Sequence, residues 1–185
     1  MPVRKTISIV MTVGLELFFF CSVALAQASQ RDAGPLSQAG LIYIATVRKD
    51  GNQSKAAPVW FTTTPDALVY IQTAKTTWKA RRILRGSPVI VWIGKRGGPA
   101  FIGKAQITND PRVSNHIVTD YPQKYLLARL GFHRPNREMF DSGQIVAIII
   151  TPVRDLPTGY VSQPGTLAPK LTEEATDSSG TTPHP

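Results

Sequence analysis

The chain has 185 residues, a formal net charge of +9 and one cysteine, Cys21. A single cysteine excludes an internal disulfide framework and a cysteine metal site. Once the two atypical ends are set aside, roughly 120 residues remain, which is enough for one core and one domain.

The first 26 residues have the pattern of a secretory signal peptide. Arg4 and Lys5 precede a long apolar run that ends in the small-residue site Ala24-Leu25-Ala26. We expect cleavage after this site and a periplasmic or secreted protein with no stable membrane insertion. Because Glu16 interrupts the apolar run, an uncleaved N-terminal anchor helix stays open as the alternative.

The other end, residues 157–185, is rich in Pro, Gly, Ser and Thr and lacks periodic apolar residues. Such a composition cannot bury enough surface to offset its ordering entropy, so we predict a disordered tail. One folded domain is therefore expected over residues 36–155. The net charge of +9 does not by itself identify a binding partner. For an exported protein, anionic small molecules or a membrane surface are better candidates than nucleic acid.

The first half of the domain predicts strands joined by tight turns. Residues 41–47 form a compact apolar strand, and Asp50-Gly51 follows as a strong hairpin signal, because both turn positions favour positive φ. A second strand covers residues 54–62, where Pro58 removes one ladder donor and so indicates an edge or a bulge. A third strand covers residues 67–73, after the turn cluster Thr64-Pro65-Asp66.

The second half adds helices and three more strands. A short helix is predicted from Thr76 to Leu84, and the nearly all-apolar residues 89–93 predict a strand buried on both faces. Residues 101–108 form the next strand. Asn109-Asp110-Pro111 indicates a helix start, with the helical region running towards Leu130 and a break near Pro122. Residues 145–151 form the last strand. Because strands and helices do not alternate, the order predicts a mainly β fold, an antiparallel barrel with peripheral helices.

The short helix carries the main functional signal. It brings four cations and no acidic residue, namely Lys79, Arg81, Arg82 and Arg85. Hydroxyls precede it at Thr73, Thr76 and Thr77. Cations, hydroxyls and free backbone N–H groups at a helix start are the groups that a phosphate needs. A basic run is also typical of a solvated helix face, which is the alternative interpretation.

Four segments, in this order and spacing, resemble the pyridoxamine 5′-phosphate oxidase-like superfamily. They are ATVRKDG at 45–51, APVWF at 57–61, LVYIQTAKTTWKARRI at 68–83 and FIGKAQITND at 101–110. The resemblance spans residues 41–152 and is greatest to the branch with flavin- and deazaflavin-dependent reductases. It implies a split antiparallel β-barrel of the FMN-binding-protein type. It also implies a homodimer that holds FMN, or alternatively a deazaflavin, in a groove between protomers.

The resemblance further implies a cofactor site. Residues 57–62 would present backbone to the ring, Gln72 and Thr73 would face the phosphate or ribityl chain, and Lys79 matches the family's phosphate-binding lysine. The implied cofactor-binding residues are Lys55, Pro58, Val59, Trp60, Gln72, Thr73, Trp78, Lys79, Arg81 and Arg82. The family's oxidases carry arginines where this chain has Ala57 and Trp78, with Lys55 as a substitute for the first. These departures argue against oxidation of pyridoxamine phosphate itself.

Other side chains have competing interpretations. Trp60 can stack on a flavin ring or belong to the core or the dimer interface. Lys124 and Tyr125 can border the cofactor groove or lie on a helix face packed against the barrel. The three histidines lack the spacing of metal ligands, and no nucleophile elbow is present. No metal site and no catalytic acid or base is predicted.

The sequence therefore predicts an exported, dimeric, flavin-dependent oxidoreductase that acts on an unidentified small redox substrate. Two alternatives stay open. One is a non-catalytic carrier of flavin or haem with the same fold, which export in an unfolded form favours because the cofactor must then be acquired outside the cytoplasm. The other is a cofactor-free interaction domain.

Overall fold

The computed structural model describes residues 34–161 and 163–171. The predicted signal peptide and residues 172–185 of the predicted tail lie outside the described residues. Within the described ranges, no helix has both the length and the hydropathy needed to cross a bilayer.

The described residues form seven strands and five helices. In chain order they are α1 (Gly34–Gln38), β1 (Ile42–Thr46), β2 (Ala57–Val59), β3 (Thr62–Thr63), β4 (Val69–Ala74), α2 (Trp78–Leu84), β5 (Val89–Ile93), β6 (Ala100–Thr108), α3 (Pro111–Lys124), α4 (Leu126–Arg129), α5 (Arg137–Asp141) and β7 (Ile145–Asp155).

All seven strands belong to one antiparallel sheet with the order β2-β1-β5-β6-β7-β4-β3. The sheet is curled into a half-barrel, which confirms the predicted mainly β, antiparallel fold. Strands β2 and β3 form its two edges. Pro58 lies on edge strand β2, as its missing N–H predicts.

Strand β5 shows how both faces of the sheet are covered. Val89 and Val91 point into the main core, which also contains Phe61 and Phe101. Ile90 and Trp92 point to the opposite face and into a second cluster. These four side chains are fully buried, and Ile93 at the end of β5 is partly buried, which confirms the prediction of a strand buried on both faces.

Helix α2 closes one side of the main core and follows the sequence prediction closely. Ala80 and Ile83 are its buried residues and pack into that core. Thr77 caps its N-terminus by accepting a hydrogen bond from Ala80 N at 3.2 Å. Gly86, with φ of 80°, follows the helix at the predicted end.

The first part of the predicted disordered tail packs on the sheet. Tyr160 stacks on Trp92 with ring centroids 5.9 Å apart, and Trp92 Nε1 donates a hydrogen bond to Tyr160 O at 2.6 Å. Gln53 Nε2 donates to the Tyr160 hydroxyl at 2.6 Å. Tyr160 and Leu171 both join the second cluster. These few apolar anchors order a segment whose average composition indicates disorder, so residues 157–161 and 163–171 differ from the sequence expectation.

The predicted second strand is interrupted at Trp60 and Phe61. The Tyr121 hydroxyl donates to Trp60 O at 2.7 Å. The Tyr125 hydroxyl accepts from Phe61 N at 2.8 Å and donates to Phe61 O at 2.9 Å. Two tyrosine side chains thus replace the strand partners of this bend and divide the strand into β2 and β3.

Helix α3 starts as predicted, with Asp110 Oδ1 accepting from Arg112 N at 2.8 Å and Pro111 in the first turn. The helical region is broken near Pro122, as predicted, although α3 runs through Pro122 to Lys124 before the break and α4 follows it. The chain leaves helical geometry at Tyr125, where φ is −117° and ψ is 117°. This extended residue is the one whose hydroxyl is bound at Phe61.

Candidate functional site

The basic helix α2 borders a pocket of about 300 Å³, which we call the α2 pocket. Its lining residues are Ile44, Thr46, Ser54, Lys55, Ala57, Trp78, Lys79 and Arg82. Three of them are cations and none is acidic. The α2 pocket thus brings together four of the predicted cofactor-binding residues, namely Lys55, Trp78, Lys79 and Arg82.

The hairpin after β1 supplies the hydroxyl groups of the α2 pocket. Its turn at Asp50-Gly51 places Ser54 opposite Thr46, so that Ser54 N donates to Thr46 O and Thr46 N donates to Ser54 Oγ, both at 2.9 Å. Their two hydroxyl oxygens lie 3.2 Å apart. Arg82 Nη1 reaches from α2 to Thr46 Oγ1 at 3.0 Å. Helix and hairpin are therefore fixed to each other across the pocket.

Lys79 is half-buried in this pocket. Burial lowers the pKa of its ammonium group from 10.5 to about 8. None of the described carboxylates forms an ion pair with it. A partly desolvated cation without an anionic partner is costly, and a bound anion would offset that cost.

Arg82 adds a second fixed positive charge to the wall. Burial lowers its pKa, the nearby Arg48 and Arg85 act in the same direction, and Asp50 acts more weakly in the opposite direction. Like-charge interactions of this kind mark a surface region with a positive potential. The potential favours an anionic ligand in the α2 pocket.

Trp78 lies on the outer side of the α2 pocket with 66% of its surface exposed. The guanidinium carbons of Arg81 and Arg82 lie 5.2 and 5.9 Å from the centre of its ring. Both distances are in the cation–π range. Arg81 is exposed and does not line the pocket, so its described contact is with Trp78.

The two predicted cofactor residues of β4, Gln72 and Thr73, lie on the strand that precedes α2. Thr73 Oγ1 is 3.3 Å from Thr77 Oγ1, the oxygen that caps α2. Gln72 is half-buried on β4, where it pairs with Ala147 of β7. Neither residue lines the α2 pocket.

The residues predicted from β2 separate into three environments. Pro58 is exposed on the edge strand next to Ala57. The Val59 side chain is buried in the main core. Trp60 stacks on Tyr125, with centroids 4.5 Å apart and an interplanar angle of 5°, and lines a different pocket.

This second pocket, which we call the α4 pocket, has a volume of about 460 Å³. It is lined by Gly40, Leu41, Trp60, Gly94, Lys124, Tyr125, Leu126 and Leu127. Lys124 Nζ lies 3.4 Å from the centre of the buried Phe61 ring. Lys124 and Tyr125 therefore border a pocket other than the one that contains Lys79.

Sequence reasoning missed Thr46 and Ser54. The available signal was the hairpin itself, because a turn centred on Asp50 pairs residue 46 with residue 54. The two hydroxyls then lie side by side next to Lys55, which was predicted. Hydroxyls close to cations are additional donors for a phosphate.

The two described histidines, His116 and His133, belong to no candidate metal site. His116 Nε2 lies 3.1 Å from Asp120 Oδ2 and 3.1 Å from Thr62 Oγ1, on the α3 side of the sheet. Over residues 34–161 and 163–171, no group of three or more His, Cys, Asp or Glu side chains could hold a metal ion. His184 lies outside these ranges.

No protein-family model and no curated protein matches the sequence, whereas solved structures do match the fold. One is a Listeria innocua protein provisionally assigned as a pyridoxamine 5′-phosphate oxidase (19% identity, 66% of this chain and 91% of that chain, TM-score 0.50). Another is the conserved hypothetical protein Rv2991 from Mycobacterium tuberculosis (16% identity, 66% and 79%, TM-score 0.51). A third is a Bacteroides thetaiotaomicron protein provisionally assigned to 5-nitroimidazole antibiotic resistance (13% identity, 70% and 82%, TM-score 0.50).

These likenesses confirm the predicted resemblance at the level of the fold. The chain has the split-barrel fold of the pyridoxamine 5′-phosphate oxidase-like proteins. Identities of 13–19% establish the fold and carry no activity from one protein to another.

Proposed function

We propose that the chain is an oxidoreductase that depends on a flavin, with FMN as the first candidate and a deazaflavin as the alternative. The observation that carries the proposal is the α2 pocket, which combines Lys55, Lys79 and Arg82 with no acidic lining residue. The shared fold supports it, since the Listeria innocua neighbour is provisionally assigned as an oxidase.

The residues of the α2 pocket fit the phosphate end of such a cofactor. Lys79 offers a half-buried ammonium without a described carboxylate partner, and the hydroxyls of Thr46 and Ser54 lie beside it in the lining. The exposed Ala57 and Pro58 of β2 continue from the pocket along the sheet edge. These residues would hold the phosphate and orient the ring, and the cofactor would supply the electron or hydride transfer.

The proposal includes a homodimer and export. Among the described strands, β2 pairs only with β1, so its other side is a sheet edge that a second copy could cover. The pattern of the first 26 residues supports export to the periplasm or beyond. N-terminal sequencing of the protein from that compartment would test cleavage after residue 26, and an intact N-terminus would contradict it.

Titration of the purified chain with FMN tests the proposed site. Lys79→Met should weaken FMN binding by about tenfold or more, because a charge-assisted hydrogen bond contributes roughly 1.5–3 kcal/mol. Lys75→Met is the matched control, since Lys75 is exposed in the turn before α2. Equal affinities of the Lys79→Met variant and the wild type would contradict the site.

A turnover assay then distinguishes an oxidoreductase from a non-catalytic flavin carrier. The FMN-loaded protein should oxidise a nicotinamide donor in the presence of a small electron acceptor faster than free FMN at the same concentration. Tight FMN binding with no such excess rate would support the non-catalytic carrier instead.

A further inference from the structure

We propose that the α4 pocket is a second ligand site that binds a small aromatic carboxylic acid in its ionised form. The aromatic ring of the ligand packs on Trp60, and its carboxylate group pairs with Lys124. Neither residue has a described contact with the α2 pocket. Ligand binding here requires no cofactor, so the proposal is independent of the proposed function.

The walls of the α4 pocket are suited to an apolar ring. Leu41, Leu126 and Leu127 line it together with the Trp60 indole, and its volume of about 460 Å³ falls in the range of about 300–1,000 Å³ typical of small-molecule sites. Leu126 and Leu127 are 63% and 51% exposed. A ligand that covers these side chains would remove apolar surface from water.

The aromatic wall is held in place before any ligand arrives. Trp60 stacks on Tyr125, and Tyr121 binds the Trp60 carbonyl oxygen at 2.7 Å. The Tyr125 hydroxyl in turn makes two hydrogen bonds to the backbone of Phe61. Because the ring needs no reordering, little conformational entropy is lost when a ligand packs against it.

The charge in the α4 pocket selects an anion. Lys124 Nζ lies over the Phe61 ring, and burial lowers the pKa of its ammonium group to about 8, with Asp120 acting in the opposite direction. Asp120 itself bonds to His116 and Thr62 rather than to Lys124. The Lys124 ammonium is thus half-buried among apolar walls and forms no ion pair with a described carboxylate. A ligand carboxylate would supply that ion pair.

The single cation in the lining of the α4 pocket favours a ligand with a carboxylate group over one with a phosphate group. The α2 pocket collects three cations, which suit a doubly charged group, whereas the α4 pocket has Lys124 alone. The two pockets lie at opposite ends of the paired strands β1 and β2, near Ala57 in one case and Trp60 in the other. Three residues of extended chain separate these positions, which is about 10 Å.

Calorimetric titration of the full chain with 2-naphthoate and 2-naphthamide tests the proposal. Wild type should bind the carboxylate more tightly than the neutral amide. Lys124→Met should weaken naphthoate binding by about tenfold and leave naphthamide binding nearly unchanged, because only the carboxylate uses the ammonium. Binding of naphthamide also reports that the variant is folded.

The matched control is Lys49→Met, which removes an exposed lysine from the hairpin turn far along the chain from α4. It should leave the naphthoate-to-naphthamide ratio unchanged. Lys124→Met should leave FMN affinity unchanged, and Lys79→Met should leave naphthoate affinity unchanged, so failure of one site is distinguishable from failure of the other.

Three results would overturn the proposal. They are absence of naphthoate binding, a wild type with no preference for the carboxylate, and a ratio that Lys124→Met does not alter. Sedimentation of the Leu127→Asp variant tests the competing possibility that a second copy of the chain occupies the α4 pocket. If that variant converts a dimer into monomers and wild type binds no naphthoate, the leucines form an interface between two copies of the chain.

Discussion

Lys79 holds a positive charge in a half-buried position, and the free-energy cost of burying that charge depends on pH. Its pKa is about 8 in the folded chain, against 10.5 for an ordinary lysine. Between these values the unfolded chain binds the proton that the folded chain has released. The contribution of this group therefore makes the folded state more stable as pH rises from about 8 to about 10.5.

Lys79→Met should accordingly stabilise the cofactor-free protein at pH 7, by about 1–3 kcal/mol. The gain should shrink to about 0.4 kcal/mol near pH 10.5, where the wild-type lysine is neutral in the folded state and half protonated in the unfolded state. Urea unfolding of both proteins at pH 7 and pH 10.5 measures the difference, with Lys75→Met as the exposed control. If the variant is less stable than wild type at pH 7, other interactions of Lys79 in the cofactor-free protein already offset the free-energy cost of burying its charge.

Several residues of the α2 pocket could be predicted from the sequence because the cue is local. Lys79 and Arg82 lie on one short basic helix, and a helix start with cations and hydroxyls indicates an anion site. Val59 and Trp60 could not be placed in the same way. Which side of a strand faces the core depends on the exact register, and a bend such as the one at Trp60 changes it.

The bend between β2 and β3 is an element held by side chains from elsewhere in the chain. Tyr125 provides both hydrogen bonds to the Phe61 backbone, and burial raises the pKa of its hydroxyl to about 12. No local signal marks this bend, because the two tyrosines follow it by about sixty residues. Hydrophobic pattern alone therefore predicted one continuous strand.

Tyr125→Phe should destabilise the protein by about 1–3 kcal/mol, since it leaves the buried N–H and C=O of Phe61 without their partner. Tyr70→Phe is the matched control, because the Tyr70 hydroxyl has no hydrogen bond to any described residue and its ring packs against His116. Chemical denaturation measures both variants. Equal stability of Tyr125→Phe and wild type would mean that water replaces the hydroxyl.

The pairing of β6 with β7 depends on one glycine. At Gly103, next to the register shift after Ile102, an added Cβ would lie 2.8 Å from Thr151 O and 3.0 Å from Ile150 Cγ2. Both neighbours belong to the paired strand and cannot move freely.

Gly103→Ala should therefore destabilise the protein by about 1–3 kcal/mol, in the range of overpacked cores. Gly40→Ala is the control, because an added Cβ there meets nothing within 4 Å. Thermal unfolding of the two variants should differ clearly. A Gly103→Ala variant as stable as Gly40→Ala would show that the two strands can separate locally at low cost.

Across the whole molecule, the antiparallel half-barrel followed from features that act over short distances. The Asp50-Gly51 turn, the fully apolar β5 and the cap at Asp110 each fixed one element before any tertiary contact was known. The packing of residues 157–161 and 163–171 did not follow, because Tyr160 is held by Trp92 and Leu167 by Gln53, and both partners lie far away in sequence.

The open edges of the half-barrel bear on assembly. With β2 and β3 each paired on one side only, the described sheet does not close on itself. We predict a homodimer, and sedimentation equilibrium should give twice the 20.2 kDa mass of the chain, less any cleaved leader. A mass equal to one chain over a wide concentration range would contradict the dimer.

Phosphorus NMR of FMN bound to the purified protein tests the central claim most directly, since it observes the group assigned to the α2 pocket. We predict a bound phosphate resonance distinct from that of free FMN and nearly constant between pH 5.5 and pH 7.5, because Lys79 and Arg82 hold the dianion. The Lys79→Met variant should restore much of the ordinary pH dependence. A resonance that follows free FMN at every pH would contradict phosphate binding by the basic helix.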